Sequence, residues 1–181
     1  VNMGFNIDFY GTNYSQLYVN NNGNVTFDNS LSTFTPFSLL STATPIIAPF
    51  FADVDTRAAG SGLTQYGMDT LGGHSVFGVN WVDVGYYSQN VDLLNSFQLI
   101  ITDRSDIGSG DFDFEFNYDQ ILWETGGASG GTGGLGGSSA RAGWSNGVST
   151  SLELSGSAVS GALLDGGPQS LIAVWLICNS L

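Results

Sequence analysis

The sequence contains no lysine, and its only basic side chains are Arg57, Arg104 and Arg141, set against 16 acidic residues for a net charge of -13. Such a surface repels phosphate backbones and anionic lipid headgroups, which excludes nucleic-acid binding and docking on acidic membranes. There is one histidine, His74, and one cysteine, Cys178. A single cysteine forbids an internal disulfide, and the two residues together cannot build a zinc site. Charged residues make up 10% of the chain, well below the roughly 25% of ordinary soluble proteins. Asn, Ser, Thr and Gly stand in their place, as they do on many secreted β-rich surfaces. The longest apolar run, Leu171 to Cys178, falls far short of the ~18 residues that a membrane-spanning helix needs. Val1 to Tyr10 lacks the basic-then-apolar order of a signal peptide, so the chain reads as a mature or excised domain.

What is present is apolar material in strand order. At 181 residues with 42% hydrophobic content, the chain can form one domain, 1–181, with a core of its own. Twelve Phe, seven Tyr and four Trp place aromatic rings at the centre of that core. Helical periodicity is absent, whereas strand-like segments recur between Gly, Asn and Asp clusters. The clearest is Asp111 to Asp119, in which Phe112, Phe114, Phe116 and Tyr118 alternate with acids and Asn117. That pattern gives a sheet one buried aromatic face and one wet face. Asn20 to Gly23 supplies the residues of a tight hairpin. Ile46 to Ala52 reads as a buried strand. The expected fold is all-β: an antiparallel sandwich, or sheets packed in a barrel-like way. Residues 126–139 form a Gly/Ser-rich stretch, expected to be a flexible hairpin loop. It is no phosphate-binding loop, because neither a Lys nor a helix pattern follows it.

Several motifs occur in a fixed order. Gly-Phe-Asn-Ile-Asp-Phe-Tyr-Gly spans residues 4–11, and Asn-Gly-Asn-Val-Thr-Phe spans 22–27. Ile-Ala-Pro-Phe-Phe-Ala-Asp-Val-Asp-Thr-Arg follows at 47–57. Gly-Asp-Phe-Asp-Phe-Glu-Phe then lies at 110–116, Trp-Glu-Thr-Gly at 123–126 and Ala-Arg-Ala-Gly-Trp at 140–144. In this order the sequence resembles the nidogen-like (NIDO) domain from about residue 4 to about residue 167. The resemblance implies a secreted or cell-surface module of matrix and adhesive proteins, without enzyme activity. The lone cysteine favours a bacterial secreted member of that family. The segment from Ala173 to Cys178 is more apolar than the family's usual ending, so the C-terminus is either atypical or truncated, and a sheet edge could be left open there.

Candidate sites are few. His74 has no nucleophile elbow to serve, and Cys178 has no base nearby in sequence, which argues against a catalytic triad. Calcium, which takes hard oxygen ligands, is the more credible cofactor, although none is established. Asp53 and Asp55 stand two apart at the end of a strand and should point the same way, to be neutralised either by a metal or by Arg57 in an ion pair. Asp103, Asp106 and Asp111 make a weaker cluster that does not match an EF-hand. Tyr86 and Tyr87, in a polar loop, are the candidate stacking pair for a glycan. Three functions follow: an adhesion or matrix-interaction module contacting a protein or glycan of the surface, a filament or biofilm subunit joined to its own copies by strand addition, and a lectin-like domain.

Overall fold

A computed structural model describes residues 1–173 and 176–179 of the chain. Its strands are β1 (Asn2–Phe9), β2 (Thr12–Gln16), β3 (Tyr18–Asn20), β4 (Asn24–Thr26), β5 (Pro45–Phe51), β6 (Gln65–Leu71) and β7 (His74–Tyr86). They continue with β8 (Asn90–Asp103), β9 (Phe112–Gln120), β10 (Arg141–Asn146), β11 (Ser151–Glu153) and β12 (Leu176–Asn179). No α-helix occurs among the described residues, and three single 3₁₀ turns sit in loops. The strands form two five-stranded sheets, ordered β11-β10-β5-β4-β3 and β12-β9-β8-β7-β6, and a separate β1-β2 hairpin. All pairings are antiparallel. Neither sheet closes on itself, so the architecture is a sandwich and not a barrel.

The alternation in β9 sets one wall of the core. Phe112, Phe114 and Phe116 are buried, with their rings in sequence along the strand. Phe114 meets Trp144 of β10 edge-on at 5.4 Å, and Phe50 of β5 meets Phe97 of β8 at 5.3 Å. These rings join the two sheets. Tyr118 closes the same row, its hydroxyl donating to the Pro49 carbonyl at 2.7 Å.

All seven residues of β5 are buried, because the strand is covered on both faces. Ile47 and Phe50 face the main core, whereas Ile46, Ala48 and Phe51 pack with Leu39 in a smaller one. The interior Pro49 is tolerated where the register with β10 slips between Arg141 and Gly143.

Between β3 and β4, the Asn-rich turn does more than reverse the chain. Asn21 and Asn22 side chains donate to the Val54 and Thr33 carbonyls. Gly23 has φ +73°, and a Cβ there would overlap the Phe50 carbonyl. The turn is thereby drawn against the chain that leaves β5, and this places the acids of residues 53 and 55.

The Cys178 side chain and residues Val174 and Trp175 lie outside the described structure. The backbone of β12 pairs with β9 from Leu176↔Phe116 to Asn179↔Asp113. The described edges of this sheet are therefore β12 and β6.

Candidate functional site

Leaving β5, the chain runs beside the end of β7. Val54 bridges Tyr86, the Asp55 N–H donates to the Gly85 carbonyl, and the Tyr87 N–H donates to the Asp53 carbonyl. The two acids are 4% exposed each, yet their environments differ sharply.

Asp55 is fully partnered. Arg57 grips it in a bidentate fork, with Nε 2.8 Å from Oδ1 and Nη2 on Oδ2. The backbone N–H groups of Arg57 and Gln89 add bonds of 3.1 and 2.9 Å. The Arg57 hydrogen bond is the main reason that its carboxyl is held down at about 2. Arg57 itself lies over the Tyr87 ring, 5.4 Å from its centroid.

Asp53 has no such partner. Its Oδ2 is buried without a hydrogen bond and sits directly under Gly126, where a Cβ would overlap it. Burial, and then the neighbouring Asp55 charge, push its pKa up to about 6, opposed by the backbone N–H groups of Ala128 and Ser129. Arg57 thus selects one acid of the two.

The glycine-rich stretch lies over Asp53 and is hydrogen-bonded to its surroundings at several points. Gly127 N–H donates to the Tyr87 carbonyl at 2.7 Å. The N–H groups of Glu124 and Thr125 donate to Gly134, and Ser138 N–H donates to Ser129. The Ser129 and Thr35 hydroxyls lie 3.0 Å apart. At 126, glycine is needed for the close approach of Asp53.

The weaker cluster divides among separate partners. Asp103 accepts from the Ser105 N–H and hydroxyl. Asp106 binds Arg104 at 3.0 Å, with His74 Nδ1 3.6 Å away, and the Arg104 bond lowers its pKa. Asp111 lies against Gly108. The second acid on Arg104 is Asp113 of β9, at 2.6 Å. No group of three or more His, Cys, Asp and Glu side chains able to hold a metal is found among the described residues.

The tyrosine pair is split by the fold. Tyr86 is a core residue, 3% exposed, packed 5.4 Å from Trp123 and bonded through its hydroxyl to Asp92. Burial first, and then Asp92, push it up to about 12. Only Tyr87, at 38%, is available to a ligand. It borders a shallow cleft of about 240 Å³ together with Asn21, Phe34, Asp55 and Arg57.

Glu124, not singled out from its chemistry, proves to be the most enclosed acid. It is 0% exposed and accepts from the Ser139 hydroxyl at 2.6 Å and the Gly161 and Leu163 N–H groups at 2.6 and 2.7 Å. It ties the glycine-rich stretch to the segment that follows β11. Its one signal in the sequence was its place in the Trp123-Glu124-Thr125-Gly126 motif.

Comparison with known proteins fits this architecture to a family. The chain is 35% identical to mouse alpha-tectorin and 34% identical to human alpha-tectorin, each over 176 residues and 84% of the chain. It is 29% identical to Drosophila nidogen over 119 residues, 52% of the chain and 9% of that protein. The chain spans 8% of the length of either alpha-tectorin. No solved structure matches it. The family model described as NIDO related matches residues 1–162, and the chain belongs to that family.

Proposed function

We propose that this chain is a non-catalytic extracellular module that makes adhesive contacts in a matrix or at a cell surface. The observation that carries this reading is the family match over residues 1–162, joined to the likeness to alpha-tectorin and nidogen. The site geometry supports it. The sole histidine is placed beside Asp106, and the most perturbed carboxyl, Asp53, is 4% exposed with its Oδ2 beneath Gly126, at the floor of the cleft beside Tyr87 and with no histidine near it. The buried polar groups named above serve packing and loop closure.

A glycan ligand has one specific observation in its favour. The cleft beside Tyr87 combines two partly exposed rings, Tyr87 and Phe34, with Asn21, Arg57 and Asp55. Stacking faces with a few fixed polar groups suit a sugar ring. Assembly from identical copies has less support, because each copy carries a charge of -13.

The test is binding of the purified chain to immobilised matrix proteins and to a glycan array, at low and physiological ionic strength. Saturable binding to a matrix protein is expected. Binding no stronger than that of an unrelated acidic protein would refute the adhesive reading. Binding confined to glycans, lost in Tyr87→Ala, would establish the lectin reading instead.

A further inference from the structure

β6 is an edge strand with little of the usual protection. Seven residues long, it pairs with β7 in unbroken register from Gln65↔Asn80 to Leu71↔His74. Among the described residues β7 is its only strand partner, and every residue of β6 is exposed. Soluble proteins ordinarily blunt such an edge with a lysine, a proline or a bulge. β6 has none of the three, and its one charge is the exposed Asp69.

The two faces of β6 differ in a way that specifies a partner. Tyr66 and Met68 stand opposite Val79 and Phe77, on the side that forms the core. Tyr66 stacks on Phe77 at 6.1 Å, yet Tyr66 and Met68 are still 55% and 63% exposed. They carry the apolar inner face out to the edge, with the Met68 sulfur against Gly4 of β1 and the rest of the side chain open. On the outer face, the registers align Gly67, Gly78, Ile100 and Glu115 across four strands, and Asp69, Val76, Thr102 and Asp113 beside them. The two glycines leave a groove of about 340 Å³ over the sheet. Asp69 thus stands at the edge and Glu115 lies farther along the other row, whereas Asp113 is already held by Arg104.

We infer that β6 accepts an extended, lysine- or arginine-bearing segment of a partner protein as an added antiparallel strand. Backbone hydrogen bonds to the free edge hold it, and its side chains alternate between the two faces. Apolar residues of the segment cover Tyr66 and Met68. The intervening cations meet Asp69 and lay their stems across Gly67 and Gly78. Charge selects the occupant. All three arginines of this chain are already paired, with Asp55, with Asp106 and Asp113, and with Glu153, so a second copy brings no free arginine to the edge. The inference goes beyond the adhesive reading, because the edge has this chemistry whatever the protein's setting.

The test uses the whole chain and a capped nine-residue peptide alternating valine and lysine. Hydrogen exchange read by mass spectrometry should show slowed amides within residues 65–71 when the peptide is present. A valine–glutamate peptide, and a valine–lysine peptide N-methylated at alternate residues, should each bind at least tenfold more weakly. Asp69→Lys, at an exposed position, should reverse the preference between the lysine and glutamate peptides. Unchanged exchange at 65–71, protection only elsewhere, or equal binding of the N-methylated peptide overturns the proposal. Concentration-dependent protection without peptide, with a doubled mass in light scattering, would show that a second copy is the occupant and overturn it as well.

Discussion

Replacing Asp53 by Asn should change the pH dependence of stability more than stability itself. In the folded chain Asp53 titrates at about 6, against an ordinary value of 3.8. An acid whose folded pKa is raised holds its proton more tightly when folded. Its ionisation therefore destabilises the fold, fully above pH 6, and the penalty fades as pH falls from about 6 to 3.8. A shift of about two units corresponds to at most about 3 kcal/mol, at 1.36 kcal/mol per unit. Asp55 acts oppositely. Its stabilising contribution is present above 3.8 and is lost as pH falls towards 2. Wild type should thus grow more stable from pH 8 to about pH 4–5 and weaken below. In Asp53→Asn the amide oxygen can still face the Ala128 and Ser129 N–H groups, but the amide nitrogen takes the Oδ2 position under Gly126 without an acceptor. That costs about 1–3 kcal/mol and offsets much of the gain at neutral pH. The diagnostic quantity is the difference between the two proteins. Measured by urea unfolding at constant ionic strength, it should move by about 2–3 kcal/mol in favour of wild type between pH 8 and pH 4. Relief of the general repulsion among the other acids is common to both proteins and cancels. Parallel stability curves over that range would refute the account of Asp53.

Gly126→Ala should lower stability by about 1–3 kcal/mol through overlap with Asp53, whereas Gly127→Ala, whose Cβ would meet the Tyr87 carbonyl at 3.5 Å, should be nearly neutral; thermal melts compare the two. Glu124→Ala should cost about 3 kcal/mol or more in urea unfolding, because the Ser139 hydroxyl and the Gly161 and Leu163 N–H groups all lose their acceptor. Arg57→Ala should raise the Asp55 pKa towards 3.8, read by NMR titration, and lower the melting temperature, while a calcium chelator should leave the wild-type melt unchanged. A chelator-induced fall restored by added calcium would mean that a metal, and not Arg57, neutralises this pair.

The strand content was legible because alternation is a local property. Phe112, Phe114 and Phe116 could only fit a core if every second side chain of that stretch pointed inward, and Trp144 and Phe97 belong to equally short, self-declaring runs. The stretch at Ile46 to Ala52 reads as a buried strand because its apolar run is unbroken, which is also a local property. The pairing of Arg57 was legible only in part. Spacing put Asp53 and Asp55 within its reach, but the choice between them depends on what covers each acid. Composition marks the glycine-rich stretch as one of low backbone restraint, and does not show which distant groups it bonds to. Its bonds reach Tyr87, Thr35 and Glu124, from 10 to 94 residues away along the chain. Tyr86 and Tyr87 were adjacent and alike in sequence, and strand geometry alone sent one ring inward against Trp123 and the other to the surface.

By itself, the sequence determined the charge, the all-β class, the aromatic core and the family motifs, because these rest on composition, on period-two patterning and on residues close together in the chain. Tertiary structure decided which carboxylate Arg57 holds, that the Asp53 Oδ2 is left without a partner under Gly126, that Glu124 anchors three donors and that β6 lies at the edge of its sheet. Each of these depends on burial and on partners brought in from distant segments. A carboxylate is solvated, paired or stranded according to its surroundings, and a strand is an edge only once the sheet around it exists.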